Sequence, residues 1–274
     1  MTCLAPMELE PALALARQVG AHALPTFLVL LCLLLLGVVL GWWVLRDHML
    51  PQMQRRLPAP ARVLLNAVAG FAIVVGGAAL FAEIAEHLGP DGAVALADEA
   101  LTAALRHHVG ATTLQVFAGL THLGDVRVLT VLGAAMALLL WCQRRRALAL
   151  GWVIALGGNA LLNPLLKRIF ERVRPLHEQG LFSESGFSFP SGHSSGATVA
   201  YGMLAYLAVR TLAPRWHLPA LLGATALVFT VGCSRVFLQV HFASDVVAGF
   251  ASGAAWLTVC ILSLELDRLY RPRA

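Results

Sequence analysis

The sequence predicts an all-α fold, a polytopic bundle of transmembrane helices. Of its 274 residues, 58% are hydrophobic and only 13% are charged, about half the charged share of a soluble domain. The mean hydropathy is +0.75. The apolar residues gather in runs near the ~20 residues that a helix needs to cross a bilayer. The net charge of +5 is carried by nineteen arginines and the single Lys167. In a chain this apolar, that excess is read first as topology. No basic patch interleaved with aromatics is present, which argues against nucleic acid.

The runs follow in order. Residues 1–24 set Glu8 and Glu10 against Arg17, so they lack the positive head of a signal peptide, and the first apolar run is expected to stay as a membrane helix. The expected spans are 25–45, 62–85, 125–142, 148–166, 195–212, 218–236 and 246–264. The first ends on Trp42-Trp43, residues that favour the membrane interface. The third is the least apolar at its start, where Arg127 lies. Between the second and third, segment 91–109 alternates Asp98, Glu99, Arg106, His107 and His108 with Val94, Leu96, Leu101 and Leu105. It reads either as an amphipathic helix on the outer leaflet or as a folded outer loop. Cys3, Cys32, Cys142, Cys233 and Cys260 form no CxxC pair and read as apolar filler, with neither a disulfide framework nor a zinc site.

Loop charges orient the spans. If 46–62, 143–147, 210–217 and the C-terminal tail are cytoplasmic, they hold twelve of the twenty basic residues. The positive-inside rule then places the N-terminus outside and the C-terminus in the cytoplasm. Loops 87–124 and 167–194 face outward.

Three polar clusters interrupt the apolar chain, all on that outer side. The third in sequence is Ser234-Arg235, His241 and Asp245. If His241 and Asp245 are both helical they share a face, so the carboxylate can hold one imidazole nitrogen and leave the other free to attack. Arg235 can fork onto phosphate oxygens. A charged helix boundary explains the same residues equally well. The second cluster, Pro190-Ser191-Gly192-His193, reads as a helix start. Its free N–H groups can bind an anion, Gly192 lets backbone approach a ligand, and His193 can protonate a leaving oxygen. An ordinary capped helix with an interfacial histidine reads the same. In the first cluster, Lys167 and Arg174 lie two helical turns apart, with Glu171 between them on the same face and Pro175 favouring an extended exit. Arg168 and Arg172 are the residues expected to snorkel. Asn159 and Asn163 are expected to bond between helices, and Gly249 and Gly253 to allow close helix packing.

Together, Lys167…Arg174-Pro175, Pro190-Ser191-Gly192-His193 and Ser234-Arg235…His241…Asp245 match at every position the pattern of the type 2 phosphatidic acid phosphatase family. That family shares its catalytic core with vanadium haloperoxidases. The resemblance covers roughly residues 60–265. It implies a six-helix core with one extra N-terminal helix, divided as 1–61 (extra helix and basic cytoplasmic loop), 62–265 (phosphatase core) and 266–274 (basic tail). It also implies a phosphatase without metal or other cofactor. His241 would be the nucleophile, Asp245 its orienting group and His193 the general acid and base. Lys167, Arg174, Arg235, Ser191 and Gly192 would bind the phosphate. The implied partners are the bilayer and a lipid phosphate such as phosphatidic acid, lysophosphatidate, phosphatidylglycerophosphate or a polyprenyl diphosphate of undecaprenyl type. The arginine bias suggests a high-GC bacterium, hence an inner-membrane protein whose site faces the periplasm or exterior. A lipid phosphotransferase with the same site, or a non-catalytic lipid-binding protein, are the alternatives.

Overall fold

A computed structural model describes residues 6–89, 92–175 and 185–270. The described elements are all helical. Helix α1 (Pro6–Ala21) precedes α2 (Ala23–Trp43), which runs on through the π-helical Val44–Met49 into α3 (Leu50–Arg56). Next comes α4 (Ala59–Glu86), with a proline in its first turn, where a missing N–H leaves no helical bond unmade. The long outer loop folds as α5 (Ala93–His108) and α6 (Ala111–Thr121). The remaining helices are α7 (Val126–Cys142), α8 (Arg146–Phe170), α9 (Gly192–Thr211), α10 (His217–Phe237) and α11 (Ala243–Tyr270).

Each of the seven expected spans is a helix, but not each is a span by length and apolarity alone. Among the described residues five helices meet that standard: α2 with its continuation, α4, α8, α10 with the turn before it, and α11. A sixth arises if α6 and α7, bent by 41° at their break, are counted as one. The exception is α9, whose Gly, Ser, Ala and Thr lower its apolarity. The reason is its place at the centre of the bundle. It packs against α7, α8, α10 and α11, and Ala197, Val199, Ala200 and Met203 are fully buried. A helix surrounded by other helices does not need lipid-facing bulk, and small residues let its neighbours approach closely.

Gly249 and Gly253 make that approach between α9 and α11. A Cβ on Gly249 would lie 2.7 Å from the Ser191 carbonyl oxygen, and one on Gly253 would lie 2.9 Å from that of Ser195. Indole N–H groups tie other pairs: Trp152 Nε1 donates to Gly133 O and Trp256 Nε1 to Ala155 O, each at 2.8 Å. The N-terminal helix joins the bundle through rings. Phe27 of α2 stacks on Phe229 of α10 and meets Phe117 of α6 edge-on, while Phe117 stacks on Phe237.

Long helices successive in the chain alternate in direction from α7 to α11, so the ends of α8 and α10 and the starts of α9 and α11 gather at one end of the bundle. Arg210 and Arg268 lie at the other end, where both reach Glu265.

Candidate active site

The site is built from those four helix ends. α10 ends at Phe237, two residues after Arg235, and the turn to α11 passes through Gln239 at φ 55. The amides of Val240 and His241 fold back onto the Arg235 carbonyl. This turn buries Arg235 and His241 to 1% exposure and Asp245 to 0%. Asp245 lies in the first turn of α11, where Oδ2 accepts the Phe242 N–H at 2.9 Å in the manner of a capping box. The same oxygen accepts Nδ1 of His241 at 3.3 Å. His241 itself precedes the helix, so the shared face expected from the four-residue spacing arises from the entry turn.

With Nδ1 on a carboxylate, Nε2 of His241 carries the lone pair. Arg174 Nη1 lies 3.1 Å from Nε2 and donates to Val240 O at 2.8 Å. Burial pushes the His241 pKa down to about 4; Asp245 opposes the shift, and the Arg174 and Arg235 guanidiniums add to it. The imidazole is therefore neutral at pH 7, as a nitrogen nucleophile requires.

The first cluster departs from the expected geometry. α8 stops at Phe170, and Glu171 takes a left-handed φ of 44. Glu171 and Arg174 therefore do not continue the helical face of Lys167. Arg174 leaves on an extended strap, and Nε bonds to Gly186 O at 3.0 Å. Lys167 Nζ bonds to Phe187 O at 2.6 Å. Arg235 Nη1 bonds to Thr121 Oγ1 at 2.7 Å. All three cations thus point at oxygen acceptors, the atom type that a phosphoryl group presents.

Arg172 corrects the sequence reading. It does not snorkel. Its Nη1 donates to Asp245 Oδ1 and to Ser244 Oγ, each at 2.7 Å, its Nη2 to Asp98 Oδ2 at 2.9 Å, and its guanidinium lies 4.2 Å from the Phe242 ring centre. Asp98, on the buried face of α5, also accepts from the Ser244 backbone N–H and hydroxyl. Burial pushes the Asp98 carboxyl above its ordinary range, against the bonds from Ser244 and Arg172. Within that segment Ala93–His108 is therefore a helix, and its face bearing Asp98, Thr102 and Leu105 is buried in protein.

In the second cluster Ser191 is the N-cap of α9, and its Oγ accepts from Ser194 N–H at 3.4 Å and from Ser194 Oγ at 3.0 Å. Its own N–H donates to Asp245 O at 2.9 Å, which joins clusters two and three. Gly192 serves helix contact: a Cβ there would lie 3.0 Å from Asn163 Oδ1. Asn163 makes the expected interhelical bond, to Ser195 Oγ at 3.2 Å. His193, in the first turn of α9, places Nε2 2.8 Å from Asp125 Oδ1. Thr121, His122 and Asp125 carry no motif signal. Only the position of Asp125, between Gly124 and an apolar run, marks it as a helix start.

The fold and the site together define a membrane protein with a histidine poised beside converging cations. The PAP2 superfamily model matches residues 146–268, from the start of α8 to near the end of α11. Phosphatidylglycerophosphatase B of Bacillus subtilis is 37% identical over 173 residues, covering 59% of this chain and 80% of that protein. Lipid A 1-phosphatase of Rhizobium johnstonii is 33% identical over 43% of this chain and 50% of its own length. Decaprenylphosphoryl-5-phosphoribose phosphatase of Mycobacterium tuberculosis is 32% identical over 50% of this chain and 72% of its own. The crystal structure of a transmembrane PAP2-type phosphatidylglycerolphosphate phosphatase from Bacillus subtilis superposes with a TM-score of 0.64 at 31% identity, over 74% of this chain and all of that one. The chain belongs to the PAP2 superfamily and is a membrane lipid phosphatase.

Proposed function

We propose that the chain hydrolyses a lipid phosphate monoester or diphosphate through a phosphohistidine on His241. The observation that carries this reading is the state of that ring. It is neutral, fixed at Nδ1 by Asp245, and offers Nε2 beside the Arg174 guanidinium. Nε2 attacks phosphorus while Lys167, Arg174 and Arg235 take the phosphoryl oxygens, assisted by Ser191 and the Gly192 N–H. Phosphoryl transfer depends on positioning and charge stabilisation, and three cations offset the charge of one phosphate. His193 gives a proton to the leaving oxygen and then takes one from the attacking water, a contribution of about 10²–10⁴ in rate.

The substrate is a phosphate whose tail stays in lipid, since the site lies where four helices end. Phosphatidylglycerophosphate heads the candidates because the Bacillus subtilis relative and the Bacillus subtilis structure are both named for that substrate. Phosphatidic acid and undecaprenyl diphosphate follow. The arginine distribution supports an inner-membrane protein whose site faces the periplasm or exterior.

The test is phosphate release by purified protein in detergent without added Mg²⁺, over a panel of these lipids. His241→Ala and His193→Ala are each expected to abolish release, and vanadate to inhibit it. Near-wild-type turnover by His241→Ala would overturn the reading. Transfer of phosphate to an alcohol in place of water would identify a phosphotransferase.

A further inference from the structure

The turn between α6 and α7 holds a second carboxylate–imidazole arrangement, whose carboxylate lies outside the three clusters and meets a histidine of the second. Asp125 is the N-cap residue of α7, yet its side chain makes no capping bond. Its two oxygens go to two histidines instead. Oδ1 lies 2.8 Å from Nε2 of His193, and Oδ2 lies 2.6 Å from Nδ1 of His122. His193 is nearly buried, with 13% of its side chain exposed, whereas His122 is 58% exposed.

The turn is locked against the helices that carry the site. Tyr201 Oη of α9 donates to Leu123 O at 2.8 Å, and Thr121 accepts from Arg235 of α10. Gly124 permits the approach: a Cβ there would lie 2.4 Å from Val231 Cγ1 and 3.0 Å from His193 Cδ2. The two histidines thus hold both oxygens of the Asp125 carboxylate.

We propose that Asp125 is the positioning residue of His193, as Asp245 is of His241, its Oδ1 accepting Nε2–H so that Nδ1 is presented to the leaving oxygen. His122 anchors the other oxygen and stops the carboxylate from rotating away. The proposal rests on the role given to His193 above. In the first half-reaction the bond from phosphorus to the lipid alkoxide breaks and the bond to His241 Nε2 forms. The Nδ1 proton of His193 passes to the alkoxide. In the second, a water oxygen bonds to phosphorus, the P–N bond breaks, and one water proton returns to Nδ1. Nε2–H stays on Asp125 throughout, and His193 ends as it began.

The surrounding charges give Asp125 its purpose. At this end of the bundle the cations around the turn and α9 are Arg235 on α10, Arg127 on α7, Lys167 and Arg168 on α8, and Arg172 and Arg174 on the strap after α8. His241 enters from the turn before α11 and Asp245 from its first turn, and α6 carries no titratable group. Cations favour neutral imidazole, and a general acid needs the charged form. Asp125 is the anion in direct contact that restores it.

The experiment compares Asp125→Asn with wild type on two substrates. One is an alkyl lipid phosphate, whose leaving oxygen needs a proton. The other is p-nitrophenyl phosphate, whose leaving group departs without one. kcat/KM is read because it reports steps up to departure of the leaving group. The expected result is a loss of about 10–100-fold on the alkyl phosphate against less than about 3-fold on the aryl one. The alkaline limb of the alkyl profile should also move to lower pH by about one unit. Equal losses on both substrates, or an unmoved limb, would overturn the proposal. If the Asn variant does not accumulate, Asp125→Glu keeps the charge at altered reach. The same split between substrates is then expected without the limb shift, and equal losses overturn the proposal again. His193→Ala run alongside separates the two readings. If it retains alkyl-phosphate turnover, the role of His193 falls and this proposal with it. If it is inactive while Asp125→Asn loses both substrates equally, only the role of Asp125 falls.

Discussion

Arg172 Nη1 donates to Asp245 Oδ1 across 2.7 Å, joining the strap after α8 to the first turn of α11. The opposite oxygen of the same carboxylate holds His241. The carboxylate that holds His241 is therefore itself held, and the chain of contacts continues through Arg172 to Asp98 on α5. A residue outside the phosphatase motif thus helps to fix the geometry of one inside it.

Arg172→Ala is expected to destabilise the protein and to lower phosphate release. It strands Asp245 at 0% and Asp98 at 5% exposure, and removing one partner of a buried ion pair costs about 3–5 kcal/mol. Arg172→Lys should recover little, because an ammonium cannot fork across Asp98, Ser244 and Asp245. Thermal unfolding in detergent, read beside kcat, checks both.

The acid limb of kcat/KM should fall near pH 4, well below the ordinary histidine range. On the proposed mechanism, protonating Nε2 removes the lone pair that attacks, and the folded His241 resists that proton down to about pH 4. The linked effect on stability has a fixed sign. Between the ordinary histidine pKa and about 4, the unfolded chain binds a proton that the folded chain refuses. Stability should be fully present above that window and decline as pH falls through it. A pH profile, corrected for the substrate's own ionisation near 6, tests the first statement, and unfolding midpoints from pH 7 to 4 test the second.

Gly249→Val should separate α9 from α11. Its Cβ would meet backbone, the Ser191 carbonyl oxygen at 2.7 Å, with Ser194 Cβ at 2.8 Å. Overpacking of this kind costs about 1–3 kcal/mol, and here it also strains the Ser191 N–H to Asp245 O bond that joins two clusters. Gly76→Ala is the control, since nothing lies within 4 Å of its added Cβ. It should be neutral or stabilise by up to about 1 kcal/mol.

A reporter fused after Ala274 should register in the cytoplasm. Arg210 and Arg268 lie at the end of the bundle away from His241, and basic residues mark the cytoplasmic side. An exterior signal from that fusion would reverse the assigned orientation.

Much of the fold was legible because lipid imposes a simple rule on sequence. A helix facing hydrocarbon must be apolar for about 20 residues, so α2, α4, α8, α10 and α11 announce themselves. α9 was legible as a run of residues although its composition is not that of a lipid-facing span. Its small residues answer to helix packing. The eight candidate site residues could be named because local order and spacing carry them. Arg172 could not be separated from Arg168 on those grounds, since both follow the same apolar run. Nor could Asp98 be told from Glu99, because only burial of one face of α5 distinguishes them. Asp125 lies 68 residues from His193, and no spacing rule spans that distance.

The sequence by itself determined the membrane-embedded helical class, the order of the spans, and the three clusters with their chemical types. Those properties depend on composition and short-range spacing, which the chain carries locally. The tertiary structure alone decided which further side chains meet those clusters, with Arg172 and Asp98 linked to Asp245 and Asp125 bonded to His193. That choice depends on side chains brought together from α5, the α6–α7 turn and the strap after α8, and only packing of the whole bundle sets those meetings.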